Sequence, residues 1–510
     1  MAASSSNGDR SPISVGIVGG GFGGLGMAVR LQQAGIEDFT IFERAEEVGG
    51  VWRANTYPGA ACDVPSHLYS FSFAPGHEWS RRYAPQAEIQ AYIQGVMRDF
   101  GLEPHLRLGI EADSASFDEP TGRWTLATAD GESHEFDVLI TACGQLTNPQ
   151  VPAIPGRDSF EAPAFHSAEW DHDCDLSGKD VAVIGTGASA IQFVPAIAPE
   201  VRSLTIYQRS APWIAPKNDR AYSEAERELF RRFPARVAAA RYATWAFHEL
   251  ATRAFTGTEW MAESFERLCD HYRRAALSDP DLIERTTPDY ELGCKRVLIT
   301  SDWYPTLERD NVELISGQVQ RITEAGVVGP DGVERPADVI VWGTGFSTHD
   351  FVAPMRIEGL GGCELNEVWA ERPEAYLGIT VAGFPNLFVI YGPNTNHGAG
   401  SVPFTLECQM RYILDGIRRL REQGLRYIDL RPEVQARWRE EIERRSQRTR
   451  WVRGGGSSWY VTEAGINTNN WPGPWLEYRR RTHRLNPGDY RAARRAAPAP
   501  ADVAAGTAAA

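Results

Sequence analysis

The 510-residue sequence has no apolar run long enough to cross a membrane. Although 42% of its residues are hydrophobic, no stretch approaches the roughly 18 consecutive apolar residues that a membrane-spanning helix requires. The first twelve residues, MAASSSNGDRSP, also lack the apolar segment of an export signal. We therefore expect no integral membrane segment, a cytoplasmic location and a flexible tail over residues 1–12.

Cysteine is scarce, and its spacing excludes two classes of protein. The seven cysteines are odd in number and form no CxxC pair, which argues against a disulfide framework and against a dithiol redox centre. We also expect no bound metal. The net charge of -15 disfavours nucleic acid as a partner, so we look instead for small-molecule partners.

Two segments of the chain show the same order of strand, glycine-rich turn, helix and strand. In the first, from about Ile13 to Arg44, VGIVGG leads into GFGGLGMAVRLQQAG and returns as FTIFER. In the second, beginning near Lys179, DVAVIG leads into TGASAIQFVPAIA and returns as SLTIYQR. In both, a short β-rich run gives way to helical periodicity. The sequence therefore predicts an α/β protein with two Rossmann-like dinucleotide-binding domains.

The composition of the other segments indicates how these domains are divided. Residues 215–292 are rich in alanine, arginine and glutamate, which predicts a helical insertion in the second domain that serves as a lid or as a packing element. The Ala/Pro-rich end, residues 485–510, cannot bury a core and is expected to be disordered. The first domain is assigned to 13–147 and 348–484, and the second to 148–214 and 293–347.

The first glycine turn has the spacing of a dinucleotide-binding motif. Gly19, Gly21 and Gly24 fit GxGxxG directly after a strand and at the start of a helix, where backbone N–H groups and the helix N-terminus meet a pyrophosphate. Glu43, at the end of FTIFER, is placed to accept hydrogen bonds from ribose hydroxyls. The alternative is an ordinary surface carboxylate at a strand end.

The second turn, GTGASA, carries Gly185 and Gly187 in the same register, with Ala190 in place of the third glycine and Ser189 as a further candidate contact. Its returning strand leads into YQRSAPW, so Arg209 stands where an acidic residue would favour a free 2′-hydroxyl. A guanidinium there suits a 2′-phosphate, which predicts NADP(H) at this site. In such an arginine-rich chain, a solvated strand-end charge is the alternative for Arg209.

The segment FEAPAFHSAEWD links the two units and fits the pattern FxGxxxHxxxW followed by Pro or Asp. The matching residues are Phe160, His166, Trp170 and Asp171, while Ala162 stands where the pattern has glycine. A second segment, GGVWRANTYPGAACD, fits GxWxxxxYPGxxxD through Gly50, Trp52, Tyr57, Pro58, Gly59 and Asp63. A third, GCKRVL, contains the adjacent cations Lys295 and Arg296.

Through these motifs the chain, from about residue 13 to 484, resembles the type I (class B) flavin-dependent Baeyer–Villiger monooxygenases. The resemblance implies that the first domain binds FAD and the second NADPH. It also implies that Gly50 and Trp52 contact the flavin cofactor and that Lys295 holds the 2′-phosphate of NADPH. Asn394, in the segment GPNTNHGAGS, is similar in position to residues that complete the FAD pocket.

The same resemblance implies the reaction: insertion of one oxygen atom from O2 beside a ketone carbonyl through a C(4a)-peroxyflavin, giving an ester or lactone. Arg296 would be the catalytic residue, because a permanent cation stabilises the anionic oxidant without protonating it. Asp63 would accept its N–H groups and orient it. His166 and Trp170 would couple the two domains, the alternative being a structural histidine and a packing tryptophan.

Two other functions are compatible with the paired cofactor motifs. One is an N- or S-oxygenating flavin monooxygenase, although that group places Tyr or Phe at the position of Trp170. The other is a non-oxygenating FAD/NADP protein that senses the redox state of the nicotinamide pool. A flavin disulfide reductase would need a dithiol that the cysteine spacing does not provide.

Overall fold

The computed structural model describes residues 13–76, 78–454 and 458–495. Across these residues the chain forms 14 α-helices and 23 β-strands. The helices, in chain order, are α1 (Phe22–Gln33), α2 (Val51–Ala54), α3 (Gln86–Asp99), α4 (Ala190–Ile197), α5 (Glu224–Arg232), α6 (Pro234–Phe255), α7 (Glu259–Ala276), α8 (Pro280–Arg285), α9 (Trp303–Leu307), α10 (Leu365–Trp369), α11 (Val402–Glu422), α12 (Pro432–Ser446), α13 (Arg450–Arg453) and α14 (Trp475–Arg481).

The strands, in chain order, are β1 (Val15–Val18), β2 (Phe39–Glu43), β3 (Leu106–Leu108), β4 (Ala112–Asp118), β5 (Arg123–Thr128), β6 (Ser133–Phe136), β7 (Val138–Thr141), β8 (Asn148–Pro149), β9 (Ala164–His166), β10 (Asp180–Ile184), β11 (Ser203–Gln208), β12 (Ile214–Ala215), β13 (Leu298–Ile299), β14 (Val312–Ser316), β15 (Arg321–Ile322), β16 (Gly326–Val328), β17 (Glu334–Pro336), β18 (Val339–Trp342), β19 (Phe346–Ser347), β20 (Arg356–Glu358), β21 (Leu387–Val389), β22 (Leu425–Leu430) and β23 (Tyr490–Arg494).

The first sheet is parallel and has the order β21-β7-β1-β2-β3. Its central strands read as short apolar runs because both faces are covered, and helix α1 crosses from β1 to β2. Strand β21 reaches this sheet from the far C-terminal part of the chain. Residues on both sides of the second glycine unit therefore build one sheet.

The second sheet repeats this architecture in the order β14-β11-β10-β18-β9, again with parallel neighbours. Helix α4 makes the crossover from β10 to β11. The chain passes between the two sheets along β8 and β19, which pair antiparallel with Asn148 opposite Ser347. The two Rossmann-type units are thus joined by a narrow double connection.

Between β12 and β13 the chain forms the four helices α5 to α8. Helix α5 begins with a capping box, in which the Ser223 side chain accepts from the backbone N–H of Glu226 and the Glu226 carboxylate accepts from the N–H of Ser223. Helices α6 and α7 follow, joined by a three-residue turn and in contact with each other. These four helices lie within residues 215–292, the segment for which the composition predicts a helical insertion.

The prediction of a disordered C-terminal tail is wrong for residues 485–495. Strand β23 pairs antiparallel with β22, from Leu425 opposite Arg494 to Leu430 opposite Tyr490. Tyr490 is buried, and its hydroxyl oxygen lies 2.7 Å from that of Tyr412. The buried Tyr490 ring and the pairing of β23 with β22 hold residues 485–495 in place. The average composition of the tail does not reveal either feature.

Residues 1–12 and 496–510, for which the sequence predicts flexible tails, lie outside the described residues. None of the helices in the described part of the chain combines the length and apolar character needed to span a bilayer.

Candidate functional site

One large cavity, of about 2510 Å³, lies where the carboxyl ends of the two sheets face each other. Both glycine turns open into it, and so does the Lys295–Arg296 pair. In parallel sheets this edge is where ligands bind, because the loops and helix N-termini that follow the strands converge there. The fold therefore brings motifs from distant parts of the chain to a single space.

The first glycine turn needs glycine for steric reasons. Gly19 has φ +111°, and a Cβ there would come within 2.5 Å of the Ala142 carbonyl oxygen. A Cβ on Gly24 would overlap the carbonyl oxygen of Gly19, so this glycine allows α1 to approach the turn. Gly21 lines the cavity. Backbone N–H groups at the start of α1 are thereby left open to a phosphate group.

Glu43 lies at the carboxyl end of β2, on the cavity wall, and is buried. Its Oε2 accepts the backbone N–H of Gly20 at 2.7 Å, and its Oε1 accepts that of Ala45 at 2.9 Å. These two hydrogen bonds fix the carboxylate while each oxygen retains further acceptor capacity. Glu43 is thus held in one orientation beside the phosphate turn.

Gly50 and Trp52 lie on the same wall. Gly50 has φ +58°, and a Cβ there would come within 3.2 Å of the Gly21 Cα, so the two glycine-containing loops touch. Trp52 donates from Nε1 to the Tyr69 hydroxyl at 3.1 Å, with the two rings edge to face. Tyr69 is a buried member of the core of the first unit, and this contact holds the Trp52 ring at the cavity.

The second glycine turn repeats the geometry of the first. Gly185 has φ +107°, and a Cβ there would overlap the carbonyl oxygen of Gly343. Gly187 and Ser189 line the cavity just before α4. This turn therefore presents a second cradle for a phosphate group.

Two cations stand beside this second cradle. Arg209 is exposed at the end of β11, and Lys295 is half-buried opposite it. Lys295 donates from Nζ to the Ser210 hydroxyl at 2.8 Å and lies 4.4 Å from the centre of the Tyr290 ring. Burial, and then the charge of Arg209, lower the pKa of Lys295. Two like charges and a hydroxyl sharing one wall make a site that favours an anion.

Arg296 and Asp63 form an ion pair between the two units. The charge of Asp63 raises the pKa of the Arg296 guanidinium, although burial alone would lower it. Burial would raise the pKa of the Asp63 carboxyl, but the charge of Arg296 outweighs it and the pKa is lowered. Both groups are therefore charged at neutral pH, and each stabilises the charge of the other.

The four motif residues of the linking segment lie beside the cavity and not on its wall, to which the segment contributes Ala168 and Glu169. His166 ends β9, and its Nδ1 accepts the backbone N–H of Ala168 at 3.1 Å. The Trp170 ring packs 5.3 Å from that of Phe193 on α4. Phe160 packs against a small core beneath the second sheet, and exposed Asp171 accepts the backbone N–H of Asp173.

Asn394 does not line the cavity, which contradicts its assignment as a cofactor contact. Its side chain is buried and donates from Nδ2 to the Asn467 carbonyl at 2.8 Å. The wall is formed instead by neighbours on either side, including Tyr391 and Asn396. Asn394 has φ +58°, and its side-chain amide is used to hold the loop to the segment around Asn467.

Sequence reasoning missed Gln192, which ties the first unit to the second. Its Oε1 accepts the Tyr57 hydroxyl at 3.1 Å and the backbone N–H of Ala61 at 3.3 Å, and its Nε2 donates to the Ala61 carbonyl at 3.0 Å. Gln192 is the one polar residue in the apolar sequence of α4. A single polar residue in an otherwise apolar helix is the feature of the sequence that could have identified Gln192.

Two Rossmann-type units whose phosphate turns open into one cavity define a two-dinucleotide oxidoreductase. Comparison with known proteins gives the family. Residues 13–250 match the flavin-binding monooxygenase-like family. The chain is 45% identical to a Baeyer–Villiger monooxygenase of Streptomyces coelicolor, over 97% of this chain and 94% of that protein.

Solved structures agree with this match. An oxidized steroid monooxygenase bound to NADP superposes with a TM-score of 0.84 at 31% identity, over 94% of this chain and 99% of the other. The OTEMO complex with FAD and NADP gives 0.84 at 26% identity, over 95% and 100%. The chain belongs to the Baeyer–Villiger monooxygenase family and is an FAD-containing, NADPH-dependent oxidoreductase.

Proposed function

We propose that this enzyme inserts one oxygen atom from O2 beside the carbonyl of a ketone, giving an ester or lactone, and that Arg296 and Asp63 form its reaction centre. The observation that carries this proposal is their ion pair, which lies on the wall of the cavity shared by both dinucleotide units. The wall of the same cavity includes the glycine turns of both units.

The first unit, residues 13–147 and 348–484, has the features that FAD requires. Gly19 and Gly21 leave backbone N–H groups open to the pyrophosphate, and a side chain at Gly19 would clash with Ala142. Glu43 is positioned to accept ribose hydroxyls. Gly50, which touches Gly21, and Trp52 lie on the same cavity wall.

The second unit, residues 148–214 and 293–347, has the features that NADPH requires. Gly185, Gly187 and Ser189 form the pyrophosphate cradle. Arg209 and Lys295 supply the two positive charges that suit a 2′-phosphate, which a ribose hydroxyl would not need.

When bound, FAD and NADPH supply hydride transfer, activation of O2 and transfer of oxygen to the ketone. Arg296 provides a fixed positive charge for the negative charge that develops on oxygen as the carbonyl is attacked. Because Asp63 raises its pKa, Arg296 gives up no proton at working pH. Asp63 orients the guanidinium, and the half-buried ring of Tyr391 and the buried ring of Tyr460 beside it limit access of water.

The linking segment, residues 160–171, would couple the two units through packing. Trp170 fixes α4 through Phe193, and α4 carries Gln192, which holds the loop that includes Tyr57. This loop ends at Asp63. A shift of the second unit would therefore move the partner of Arg296, with His166 anchoring the segment on β9.

The enzyme consumes NADPH, a coenzyme of the cell interior, and we therefore also propose a cytoplasmic location, which fractionation of the source cells tests.

Arg296→Ala tests the reaction centre. We expect the variant to bind FAD and to be reduced by NADPH, but to form ester at least about 100-fold more slowly, because a preorganised charge at the reacting oxygen is lost. The measurement is product per NADPH consumed with a panel of ketones. Arg253→Ala, an exposed arginine of α6 outside the cavity, is the control. Ester formation by Arg296→Ala at the wild-type rate would remove Arg296 from this role.

A further inference from the structure

Helices α6 and α7 present apolar side chains to the cavity along one face each. On α6 these are Phe247, Leu250, Ala251, Ala254 and Phe255. Their spacing of three to four residues places them on one side of the helix. On α7, Met261, Phe265 and Leu268 follow the same spacing. The Phe255 and Phe265 rings meet edge to face with their centres 6.3 Å apart, so the two faces border one largely apolar groove, to which His248 of α6 adds a single polar ring.

The groove is buried at one end and open at the other. On α6 the exposed fraction is 68% at Phe247 and 51% at Leu250, and falls to 4% at Ala254 and Phe255. On α7, Leu268 at the open end is 47% exposed. From Phe247 to Phe255 the helix rises about 12 Å. The groove is therefore long enough to hold an extended apolar chain.

The buried end adjoins the segment that carries the reaction centre. A Cβ on Gly293 would come within 2.7 Å of the Phe255 ring, and Phe255 shares a core cluster with Trp451 and Tyr460. Val297, directly after Arg296, packs against that cluster. The groove thus leads from solvent to the backbone beside Arg296.

The middle of the groove is lined by small residues. Ala251 is half-buried and Ala254 is buried, and both contribute only a methyl group to the wall. Larger side chains, Phe247 and Phe255, stand at either end. Apolar side chains of this size exposed at the mouth of a cavity mark a binding surface more often than an ordinary surface.

We propose that this groove binds the apolar arm of the substrate, so that the enzyme acts on ketones with a long aliphatic chain on one side of the carbonyl. The carbonyl lies near Arg296 and the chain extends past Ala254 and Ala251 toward Phe247. The occupant is the substrate itself because the groove is continuous with the cavity that holds the reaction centre. This inference rests on the proposed function.

A homologous series of straight-chain methyl ketones, from butanone to dodecanone, tests the proposal. With the wild-type holoenzyme we expect kcat/KM to rise by up to about fourfold per added methylene until the groove is filled, and then to level off. The affinity for each ketone, measured by quenching of tryptophan fluorescence, is expected to follow the same course. No dependence of either quantity on chain length would overturn the proposal.

Ala251→Phe blocks the middle of the groove. We expect it to lose at least about tenfold in kcat/KM for dodecanone and to keep butanone turnover within about twofold of wild type. Ala243→Phe, on the exposed side of the same helix and outside the cavity wall, is the matched control and is expected to change neither. Equal loss for both ketones in a variant that retains FAD, or equal effects of both substitutions, would contradict the assignment.

Ala251→Leu is a smaller change for use if the phenylalanine variant does not fold. It is expected to shift the preference between long and short ketones in the same direction.

The affinity measurement separates this proposal from the proposed function. If no ketone is oxygenated but affinity still rises with chain length and falls in Ala251→Phe, the groove assignment stands and the reaction assignment fails. If butanone is turned over but chain length has no effect, the reaction assignment stands and the groove assignment fails.

Discussion

The preference of this enzyme for NADPH over NADH is predicted to depend on two positively charged side chains. Lys295 and Arg209 are the two cations beside the second glycine turn, and we expect Lys295→Ala combined with Arg209→Ala to abolish the preference for NADPH. Lys295 is half-buried and already held by Ser210, so its contact with a phosphate has the value of a charge-assisted hydrogen bond, about 1.5 to 3 kcal/mol.

Arg209 is exposed, and solvent screening reduces its contribution to about 0.5 to 1 kcal/mol. Together the two contacts amount to about 2 to 4 kcal/mol, which corresponds to a loss of roughly 30- to 1,000-fold in kcat/KM for NADPH. The value for NADH, which has no 2′-phosphate, is expected to stay within about threefold because neither cation contacts the rest of the coenzyme strongly.

The assay is the initial rate of flavin reduction by each coenzyme under anaerobic conditions, which separates coenzyme binding from the later oxygenation. Lys179→Ala is the control, since Lys179 lies just before β10 at the opposite end of the strand from the cavity. Burial and Arg209 lower the pKa of Lys295, so NADPH preference is also expected to decline on the alkaline side before an ordinary lysine would titrate. An unchanged NADPH/NADH ratio in the double variant would refute the assignment of the 2′-phosphate site.

Two carboxylates, partly buried Asp63 and buried Asp429, give two further predictions. Asp63→Asn keeps the shape of the side chain but removes its charge. We expect ester formation to fall about 10- to 150-fold while flavin reduction by NADPH persists, because Arg296 loses a charge-assisted hydrogen bond. The measurement is the amount of ester formed per NADPH consumed, and an unchanged value would contradict the positioning role of Asp63. Burial raises the pKa of Asp429 to about 6, above the ordinary value of about 3.9. The unfolded chain therefore ionises at a lower pH than the folded protein, and the folded state loses stability as pH rises from about 4 to 6. The loss is at most about 3 kcal/mol. Asp429→Asn is therefore expected to raise Tm more at pH 8 than at pH 5. A difference in Tm between the variant and the wild type that is the same at both pH values would contradict the raised pKa of Asp429.

The cofactor turns could be predicted from the sequence because each is a local structure. Gly19 and Gly185 occupy backbone conformations with positive φ, and a helix begins three residues after the first and five residues after the second. These constraints act within a few residues, so they leave a pattern that spacing reveals. Glu43 and Arg209 were found for the same reason, since each lies at the end of the strand that returns from its turn.

Asn394 and residues 485–495 show where this reasoning fails. Motif similarity placed Asn394 near a cofactor, but whether a loop residue faces a cavity or the interior depends on the rotation of the backbone there, which the Asn467 carbonyl determines. The tail was judged by average composition, whereas its order comes from one strand pairing and from burial of Tyr490. Neither property is encoded in the neighbouring residues.

The sequence by itself determined two dinucleotide-binding units, the motif residues of each and the cationic pair Lys295–Arg296, because these depend on local spacing and residue type. Only the tertiary structure decided which of them meet. Asp63 and Arg296 are 233 residues apart in the sequence, and the packing of the two units brings them together. Gln192 connects the two units only because α4 faces the loop that carries Tyr57. The apolar groove of α6 and α7 likewise exists only in three dimensions, since its direction and its buried end are set by the segments against which the helices pack.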